Sequence, residues 1–176
     1  ATAWASGRAQ QVKGLQYLQN FQPDGWYFFQ QQHPLERAFK SSGSMLPDVI
    51  RAWAEAGGQL SHEALKAVRP HCIIFRREQG NLVFTEVGEE SSFLSWYGRA
   101  LAESTIGRTL GQMPGGDNFG RLADLAYTDI EHSQSIRLDH VHSIIPRVEN
   151  EDPLPISYER LLIGARFPDE SPAIIS

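Results

Sequence analysis

Two histidines with the spacing of a metal-ligand pair stand near the end of the chain. His140 and His142 lie in the segment "RLDHVHS", and in a strand residues i and i+2 share one face. Imidazoles at this spacing can bind a metal ion, but the sequence offers no third ligand. The pattern favours surface or interface histidines with a mild response to pH, and we predict no metal site.

Serine and cysteine side chains are the other candidates for covalent chemistry. Ser91, Ser92 and Ser95 have no histidine close in sequence, and no "GxSxG" motif occurs; a polar helix start explains them. Cys72 follows His71, which could activate the thiol if the imidazole were charged and the site open. A cysteine in a strand is more often a small buried apolar group. We therefore predict no catalytic residue and no enzymatic activity.

A glycine-rich segment, "GQMPGGDNFG", precedes a predicted helix in the manner of a phosphate-binding loop. Asp117 stands where such loops carry Lys, and its carboxylate would repel a phosphate. The segment is therefore interpreted as a turn followed by a helix cap.

Composition and charge exclude several classes of function. The 176 residues are 41% hydrophobic with a formal net charge of −5, and this acidic balance argues against nucleic acid as a partner. No apolar run is long enough to span a membrane, and one cysteine fits a reducing compartment. These features predict a cytoplasmic, globular protein. The missing initiator Met indicates a trimmed chain or a fragment of a longer one.

Two kinds of periodicity define the elements. The spacing of Leu46, Val49, Ile50 and Trp53 predicts an amphipathic helix, and a short helix is expected to start near Ser61. A hairpin is predicted over residues 72 to 88 with Gly80 in the turn. Short helical segments then cover residues 91 to 116, a helix of about three turns follows, and strands are expected at residues 135 to 145, 156 to 167 and at "AIIS". Residues 1 to 43 are predicted as a short helix followed by extended chain.

The late strand "ISYERLLIGARF" is apolar on both of its faces. Leu161 and Ile163 share one face, whereas Tyr158 and Leu162 share the other. A sheet with one solvated face would alternate apolar and polar residues. Both faces are therefore expected to be covered, the second one by the helix of residues 46 to 57 or by a second copy of the chain.

The order of these segments resembles a PAS domain over roughly residues 65 to 176. The resemblance is carried by "CIIFRREQGNLVFTEVGEES", "LSWYGRALAESTIGRTLGQMPG", "NFGRLADLAYTDI" and "ISYERLLIGARF". The "YERLL" strand after an acidic loop is similar to the PAS variant of alphaproteobacterial regulatory proteins. The resemblance implies an α+β fold: a five-stranded antiparallel sheet, short helices on one face and an N-terminal helical cap on the other. Residues 1–64 would form the cap and residues 65–176 the PAS-like domain.

The resemblance also implies which cofactors and sites to expect. Photosensory members use a cysteine and haem-binding members a histidine at the connecting helix; this helix carries no cysteine and its nearest histidine, His132, falls at the helix end, so we predict no cofactor. A pocket would be lined by Trp96, Leu101, Ile106, Phe119, Leu122 and Ala126, unless these residues simply form core. The cap or dimer interface would comprise Leu46, Val49, Ile50, Trp53, Tyr158 and Leu162.

Three functions follow as hypotheses. The first is a non-catalytic sensory or regulatory module that acts by homodimerisation and by docking to a bacterial signalling or cell-cycle protein. The second is a small-molecule sensor that binds an apolar ligand and belongs to a larger signal-transduction protein. The third is a small α+β cone enzyme, which would need a buried acid or base inside the cone.

Overall fold

The structure is an antiparallel sheet with cover on both faces. The computed structural model describes residues 17–21, 27–40, 43–114, 116–145 and 152–176, and of these it describes residues 17–21, 27 and 117–119 through their backbone alone. No helix in the described parts of the chain is both long enough and apolar enough to cross a membrane.

Seven strands form one sheet. They are β1 (Tyr17–Phe21), β2 (Tyr27–His33), β3 (Ile73–Glu78), β4 (Asn81–Val87), β5 (Ile136–Ile145), β6 (Leu154–Arg166) and β7 (Pro172–Ile175). Their order is β1-β2-β5-β6-β7-β3-β4, and every pairing between these strands is antiparallel. The predicted α+β class is confirmed, but the sheet has two more strands than the five expected.

The two additional strands come from the segment predicted as a helical leader. Strand β2 pairs with β5 from Tyr27 opposite Ile144 to His33 opposite Leu138, and β1 pairs with β2. Extended chain was predicted in residues 1 to 43 after a short helix, but its pairing with β5 was not, because the polar run "QQQ" is unlike a buried strand, which is expected to be apolar. Strands β1 and β2 are therefore part of the sheet and not of a helical cap, and the proposed division at residue 64 separates strands of one sheet.

The predicted hairpin is present as β3 and β4. Its two-residue turn consists of Gln79 and Gly80, whose φ angles are 49° and 82°. Two consecutive positive φ values define the type I′ turn that fits the twist of a two-residue hairpin. Gly80 therefore occupies the position predicted for it, since glycine adopts positive φ at little cost.

Four α-helices and four 3-10 helices connect the strands. The α-helices are α1 (Leu46–Glu55), α2 (Ser92–Tyr97), α3 (Arg99–Thr105) and α4 (Gly116–Ser133), and the 3-10 helices are Leu35–Phe39, Glu63–Leu65, Arg69–His71 and Leu110–Gln112 among the described residues. Helix α1 has the predicted position. The helix expected from Ser61 is instead two 3-10 turns, and α4 begins three residues earlier than the apolar stripe that predicted it.

The sheet buries apolar residues on both faces, as the strand patterns predicted. The cap face packs against α1 and the chain that follows it, through Val49, Ala52, Ala56, Leu60, Leu65, Val68, Cys72, Ile74, Leu138, Leu161, Ile163, Ala165 and Ile175. The helix face packs against α2, α3 and α4, through Phe75, Leu82, Phe84, Phe93, Ala102, Met113, Ala126, Tyr127, Ile130, Leu162 and Ile174. Cover of the cap face therefore comes from the same chain.

Candidate functional site: an aromatic cavity with a buried arginine

A cavity of about 80 Å³ lies between the helix face of the sheet and helices α2 and α4. Its lining is rich in aromatic residues and includes Phe28, Phe75, Phe84, Phe93, Trp96, Tyr97, Tyr127 and Tyr158, with Ala123, Ser92, Arg160 and Ser176 among the smaller or polar groups. Ser92 is exposed, so the cavity reaches toward the surface at the start of α2. Such a lining, apolar with few polar groups, is typical of a small-molecule site.

The aromatic rings hold one another in place around the cavity. The ring centroids of Phe75 and Phe84 are 4.6 Å apart, and those of Phe93 and Tyr97 are 4.8 Å apart. The Phe75 ring meets Tyr127 edge to face at 5.2 Å. These distances fall in the range of favourable aromatic pairs, so the wall is a packed structure and does not depend on a ligand for its shape.

Arg160 is the charged group of the cavity wall. Its side chain is 4% exposed and its Nη2 lies 3.0 Å from Oδ2 of Asp139, which is 0% exposed. The same Nη2 donates to Oε1 of Gln30 at 2.7 Å, and the guanidinium carbon lies 5.2 Å from the centre of the Tyr127 ring. Strand register explains the pair, because Asp139 of β5 stands directly opposite Arg160 of β6.

Asp139 is shared between two arginines. Nε of Arg137 donates to its Oδ1 at 2.8 Å, while Arg160 takes Oδ2. Arg137 also contacts Asp129 at 3.1 Å, but the Asp129 side chain is 72% exposed. The fully buried part of this cluster is therefore the pair of Arg160 and Asp139, and Arg137 binds Asp139 from a partly exposed position.

Two buried N–H donors of the cluster have no hydrogen-bond partner in the described structure. They are Nε of Arg160 and Nε2 of Gln30. A buried donor without an acceptor costs about 1–3 kcal/mol, and more when it is charged. Both atoms are inaccessible to solvent, so neither donor is exposed to the cavity.

Burial and neighbouring groups change the pKa values of the polar wall. Burial raises the pKa of Tyr158 to about 12 and also raises that of Tyr97. Burial alone would lower the pKa of Arg160, but Tyr127, Tyr158 and Asp139 outweigh it and the pKa is raised. The tyrosines are therefore neutral and Arg160 charged at neutral pH. None of these groups is prepared to accept a proton in catalysis.

A gap in the sheet connects this cavity to α1. Strand β7 pairs with β6 only at residues 163–166, so the β6 residues before them have no neighbouring strand on that side in the described structure. A second cavity of about 130 Å³ fills this gap and is lined by Leu46 and Val49 of α1 together with Tyr158 and Arg160. The same two wall residues thus border both cavities.

The predicted pocket residues are only partly brought together. Trp96 lines the cavity, and Ala126 lies in the helix-face core. Leu122 packs partly buried beside Ala123. Leu101 is half-buried on α3 and is not part of the lining.

The two remaining predicted pocket residues are Ile106 and Phe119. Ile106 is 48% exposed, so its assignment to the pocket is wrong; it follows the last residue of α3, where the chain turns outward. The side chain of Phe119 lies outside the described residues.

The predicted interface residues divide between the two faces. Val49 belongs to the cap-face core, and Leu46, Ile50 and Trp53 pack against it. Leu162 belongs to the helix-face core and is 0% exposed. It therefore cannot contact the cap.

Tyr158 is also on the helix face, where its ring lies 4.6 Å from that of Trp96. The assignment of Leu162 to the cap interface is therefore wrong, whereas Tyr158 also borders the second cavity together with Leu46 and Val49 of α1. Both faces of β6 are apolar. The alternation of side chains along the strand assigns its residues to two faces, but it does not show which of the two faces α1 covers.

A histidine row on the cap face includes one residue that the sequence did not indicate. His140 and His142 stack with ring centroids 4.3 Å apart, and His33 of β2 lies 6.2 Å from His140. Register alone brings His33 there, since β2 was not predicted. In the described parts of the chain no group of three or more His, Cys, Asp or Glu is arranged to hold a metal ion.

The contacts of Cys72 and Ser91 are structural. Cys72 is buried, its Sγ donates to the carbonyl oxygen of Val68 at 3.3 Å, and burial raises its thiol pKa to about 12. Ser91 caps α2 by accepting from the backbone N–H of Leu94, as a polar helix start predicts.

A larger groove of about 710 Å³ runs beside the β3–β4 turn and the start of α4. It is lined by glycines, including Gly80, Gly111 and Gly120, with Arg121 and Asp124 at its side. Asp124 is bound by Arg77. Among the described residues that line the groove none is a buried charged group, so the aromatic cavity is the better candidate for a site.

Comparison with known proteins adds no relative to this description. No protein-family model matches the chain, no curated protein matches it, and no solved structure matches its fold.

Proposed function

We propose that this chain is a non-catalytic sensory module of the PAS type, in which a small ligand binds in the aromatic cavity and changes how α1 packs on the sheet. The observation that carries the proposal is the cavity itself, which combines aromatic walls with one buried arginine. An apolar lining with few polar groups is typical of a small-molecule site.

Strand order supports the PAS assignment. Five neighbouring strands of the sheet lie in the order β5-β6-β7-β3-β4. Of these five, β3 comes first and β7 last along the chain, and the two lie beside each other inside the sheet. PAS sheets share this arrangement, with helices between the second and third strands. Strands β1 and β2 extend the sheet beyond that pattern at the β5 edge.

The packing of α1 favours a ligand sensor over a module that docks to other proteins through α1. Its apolar residues are used inside the chain, since Val49 is buried and Nε1 of Trp53 donates to the carbonyl oxygen of Gly164. A stripe that already covers the sheet is not available to a partner unless α1 leaves it. Binding would therefore act first on the α1 contact and only then on other proteins.

The physical mechanism is a shift between two packings of α1. A ligand that contacts Arg160 and Tyr158 would also change the second cavity, where the same residues meet Leu46 and Val49. The equilibrium moves only by the difference in the ligand's affinity for the two packings. Occupancy of the cavity would thus be reported at the opposite face of the sheet.

Hydrogen exchange combined with native mass spectrometry tests this function. The expected result is a retained or added small molecule, together with altered exchange of residues 46–55 when it binds. Ala123→Leu would fill the cavity and should abolish both effects. Ala54→Leu, on the exposed side of α1, is the control and should preserve both. Binding with no change at α1 would contradict a sensory role.

Homodimerisation is a second candidate, favoured by the histidine row. His33 and His140 lie half-buried on a part of the cap face outside the α1 core. A second copy could pack there. Sedimentation of His140→Glu compared with wild type tests it, and an unchanged molecular mass would exclude this surface.

The cellular role stays part of the proposal. A cytoplasmic location in bacterial signalling, with a protein partner downstream, agrees with the acidic charge and the single buried cysteine.

A further inference from the structure

Two tyrosine hydroxyls of the cavity lining make no hydrogen bond to any described residue, including each other. They belong to Tyr97 of α2 and Tyr158 of β6. The third tyrosine of the lining, Tyr127, differs from them, because its hydroxyl donates to Oγ of Ser176 at 3.4 Å. A buried tyrosine hydroxyl usually has a partner. The cavity wall therefore contains two polar groups that the described fold does not use.

Both hydroxyls are surrounded by protein and still keep accessible surface. Burial is the largest cause that raises the pKa of Tyr158 to about 12 and also raises the pKa of Tyr97, to which the nearby Tyr158 adds. The described side-chain atoms that are both inaccessible and unpaired are Nε of Arg76, Nε of Arg160 and Nε2 of Gln30, and neither hydroxyl is among them. The surface that the two hydroxyls keep therefore faces the cavity that they line.

The charged groups beside the cavity bind one another. Arg160 pairs with the fully buried Asp139 at 3.0 Å, and Arg137 binds both Asp139 and Asp129. The two tyrosines are uncharged at pH 7 because their pKa values are raised. An ionic ligand would leave water for this lining without finding a counter-ion, which is costly. The lining therefore favours a neutral ligand.

The two hydroxyls determine which polar group the ligand needs. Each neutral hydroxyl can donate one hydrogen bond, and a carbonyl oxygen has two lone pairs to accept both. A ligand hydroxyl would bring a third donor, and with the tyrosines unbonded to each other only two hydrogen bonds could form among the three groups. One donor would then lack an acceptor, which is unfavourable inside a protein. A carbonyl group therefore matches the two tyrosines better than a hydroxyl group does.

The size of the cavity limits the rest of the ligand. Its volume of about 80 Å³ is about half of the roughly 150 Å³ that accepts benzene in an engineered core, which leaves room for roughly three to four non-hydrogen atoms. Phe93 and Trp96 of α2 belong to the lining, and their rings would contact alkyl groups. The ligand is therefore short and has no second polar group.

On the basis of the proposed sensory function, we infer that the ligand is a short-chain ketone or aldehyde, whose carbonyl oxygen accepts hydrogen bonds from the hydroxyls of Tyr97 and Tyr158. Its alkyl groups contact Phe93 and Trp96. No covalent step is involved. Binding gives both hydroxyls an acceptor and removes the alkyl groups from water.

Titration with acetone, followed by NMR of the chain labelled with ¹³C at the tyrosine Cζ atoms, is the direct test. Acetone should shift the resonances of Tyr97 and Tyr158 until binding is saturated, and it should change that of Tyr127 much less. The alcohol of similar size, 2-propanol, should bind at least threefold more weakly. Binding of 2-propanol that is as tight as that of acetone, or tighter, would overturn the assignment of a carbonyl group.

Three matched variants locate the hydrogen bonds. Tyr97→Phe and Tyr158→Phe each remove one hydroxyl and keep the ring, so each should weaken acetone binding about fivefold, the factor that corresponds to one ordinary hydrogen bond. Tyr127→Phe removes the hydroxyl that already contacts Ser176 and should bind acetone within twofold of wild type. Equal affinities for acetone in all three variants would overturn the inference.

A hydrocarbon of the same shape shows whether the cavity is intact in these variants. Dissolved 2-methylpropene has a CH₂ group in place of the acetone oxygen, and its affinity should stay within twofold of wild type in Tyr97→Phe and Tyr158→Phe. Losses of equal size for acetone and 2-methylpropene would mean that the hydroxyls shape the cavity and do not bind the oxygen, which would overturn the inference.

The outcomes also separate this inference from the proposed function. If 2-methylpropene binds and Ala123→Leu prevents it, while acetone does not shift the tyrosine resonances, the sensory cavity stands and the carbonyl assignment fails. If neither acetone nor 2-methylpropene binds to the wild-type chain, both fail.

Discussion

Trp53 and Gly164 are joined by a hydrogen bond of 2.9 Å, from the indole Nε1 to the backbone carbonyl oxygen, although 111 positions separate them in sequence. This bond fixes α1 to β6. On its other side Gly164 lies against Gln134, just after the end of α4. Its backbone N–H donates to the carbonyl oxygen of Ser135 at 2.8 Å. Gly164 thus contacts α1 on one face of the sheet and the end of α4 on the other.

Replacing Trp53 with Phe keeps most of the apolar contact and removes the donor. We expect a loss of about 1 kcal/mol in the free energy of unfolding, the usual net value of one hydrogen bond, measured by urea denaturation. Trp53→Asp should cost considerably more, because it places a charge in apolar surroundings. Glu55→Gln, exposed on the same helix, is the control, and an equal loss in both would refute a specific role for the indole.

Gly164→Ala should destabilise the fold through a steric clash. An added Cβ would lie 2.6 Å from Cα of Gln134 and 2.8 Å from its carbonyl carbon, and neither backbone atom can rotate away. Overpacking of this kind costs about 1–3 kcal/mol. Thermal melting of the variant measures the loss, and a melting temperature equal to that of wild type would show that α4 can move aside freely.

Asp139→Ala and Asp129→Ala form a matched pair, because both carboxylates bind Arg137. Loss of the buried Asp139 leaves Arg160 without its counter-ion and should cost about 3–5 kcal/mol. Loss of the exposed Asp129 should cost less than about 1 kcal/mol. Chemical denaturation of both variants compares them, and similar costs would mean that water reaches the Arg160 cluster.

Stability should fall as the pH is lowered through the range in which histidines titrate. Burial, followed by Arg37, lowers the pKa of His33 and of His140, and burial followed by His140 lowers that of His142. The unfolded chain therefore binds protons more readily than the folded chain, so stability is complete above about pH 6.5 and decreases as the pH falls below it.

Melting temperatures between pH 8 and pH 5 measure this effect. His140→Gln should flatten the curve, since it removes the central ring of the row. A slope that is the same in wild type and in His140→Gln would exclude the row as its source.

The thiol of Cys72 should be unreactive while the chain is folded. The raised pKa leaves almost no thiolate at pH 8, and only a thiolate attacks a disulfide reagent. Labelling with an aromatic disulfide reagent should therefore be slow in buffer and fast in denaturant. Rapid labelling of the folded chain would show that the cap opens at this position.

Much of the fold followed from local patterns in the sequence. The 3.6-residue spacing of Leu46, Val49, Ile50 and Trp53 specified α1, and the positive φ that Gly80 permits specified the hairpin turn. The two apolar faces of β6 were also visible, because alternate residues of a strand point to opposite sides. These features depend on neighbours within about ten positions, which is why the sequence alone determined them.

Only the tertiary structure decided which elements meet. It put Leu162 beneath the helices and not beneath α1, and it added β2 to the sheet through pairing with β5. The buried cluster arises in the same way, since Gln30, Asp139 and Arg160 come from three strands and meet through register. No local pattern contains this information, because the energy of a buried ion pair depends on groups that the chain brings together only on folding.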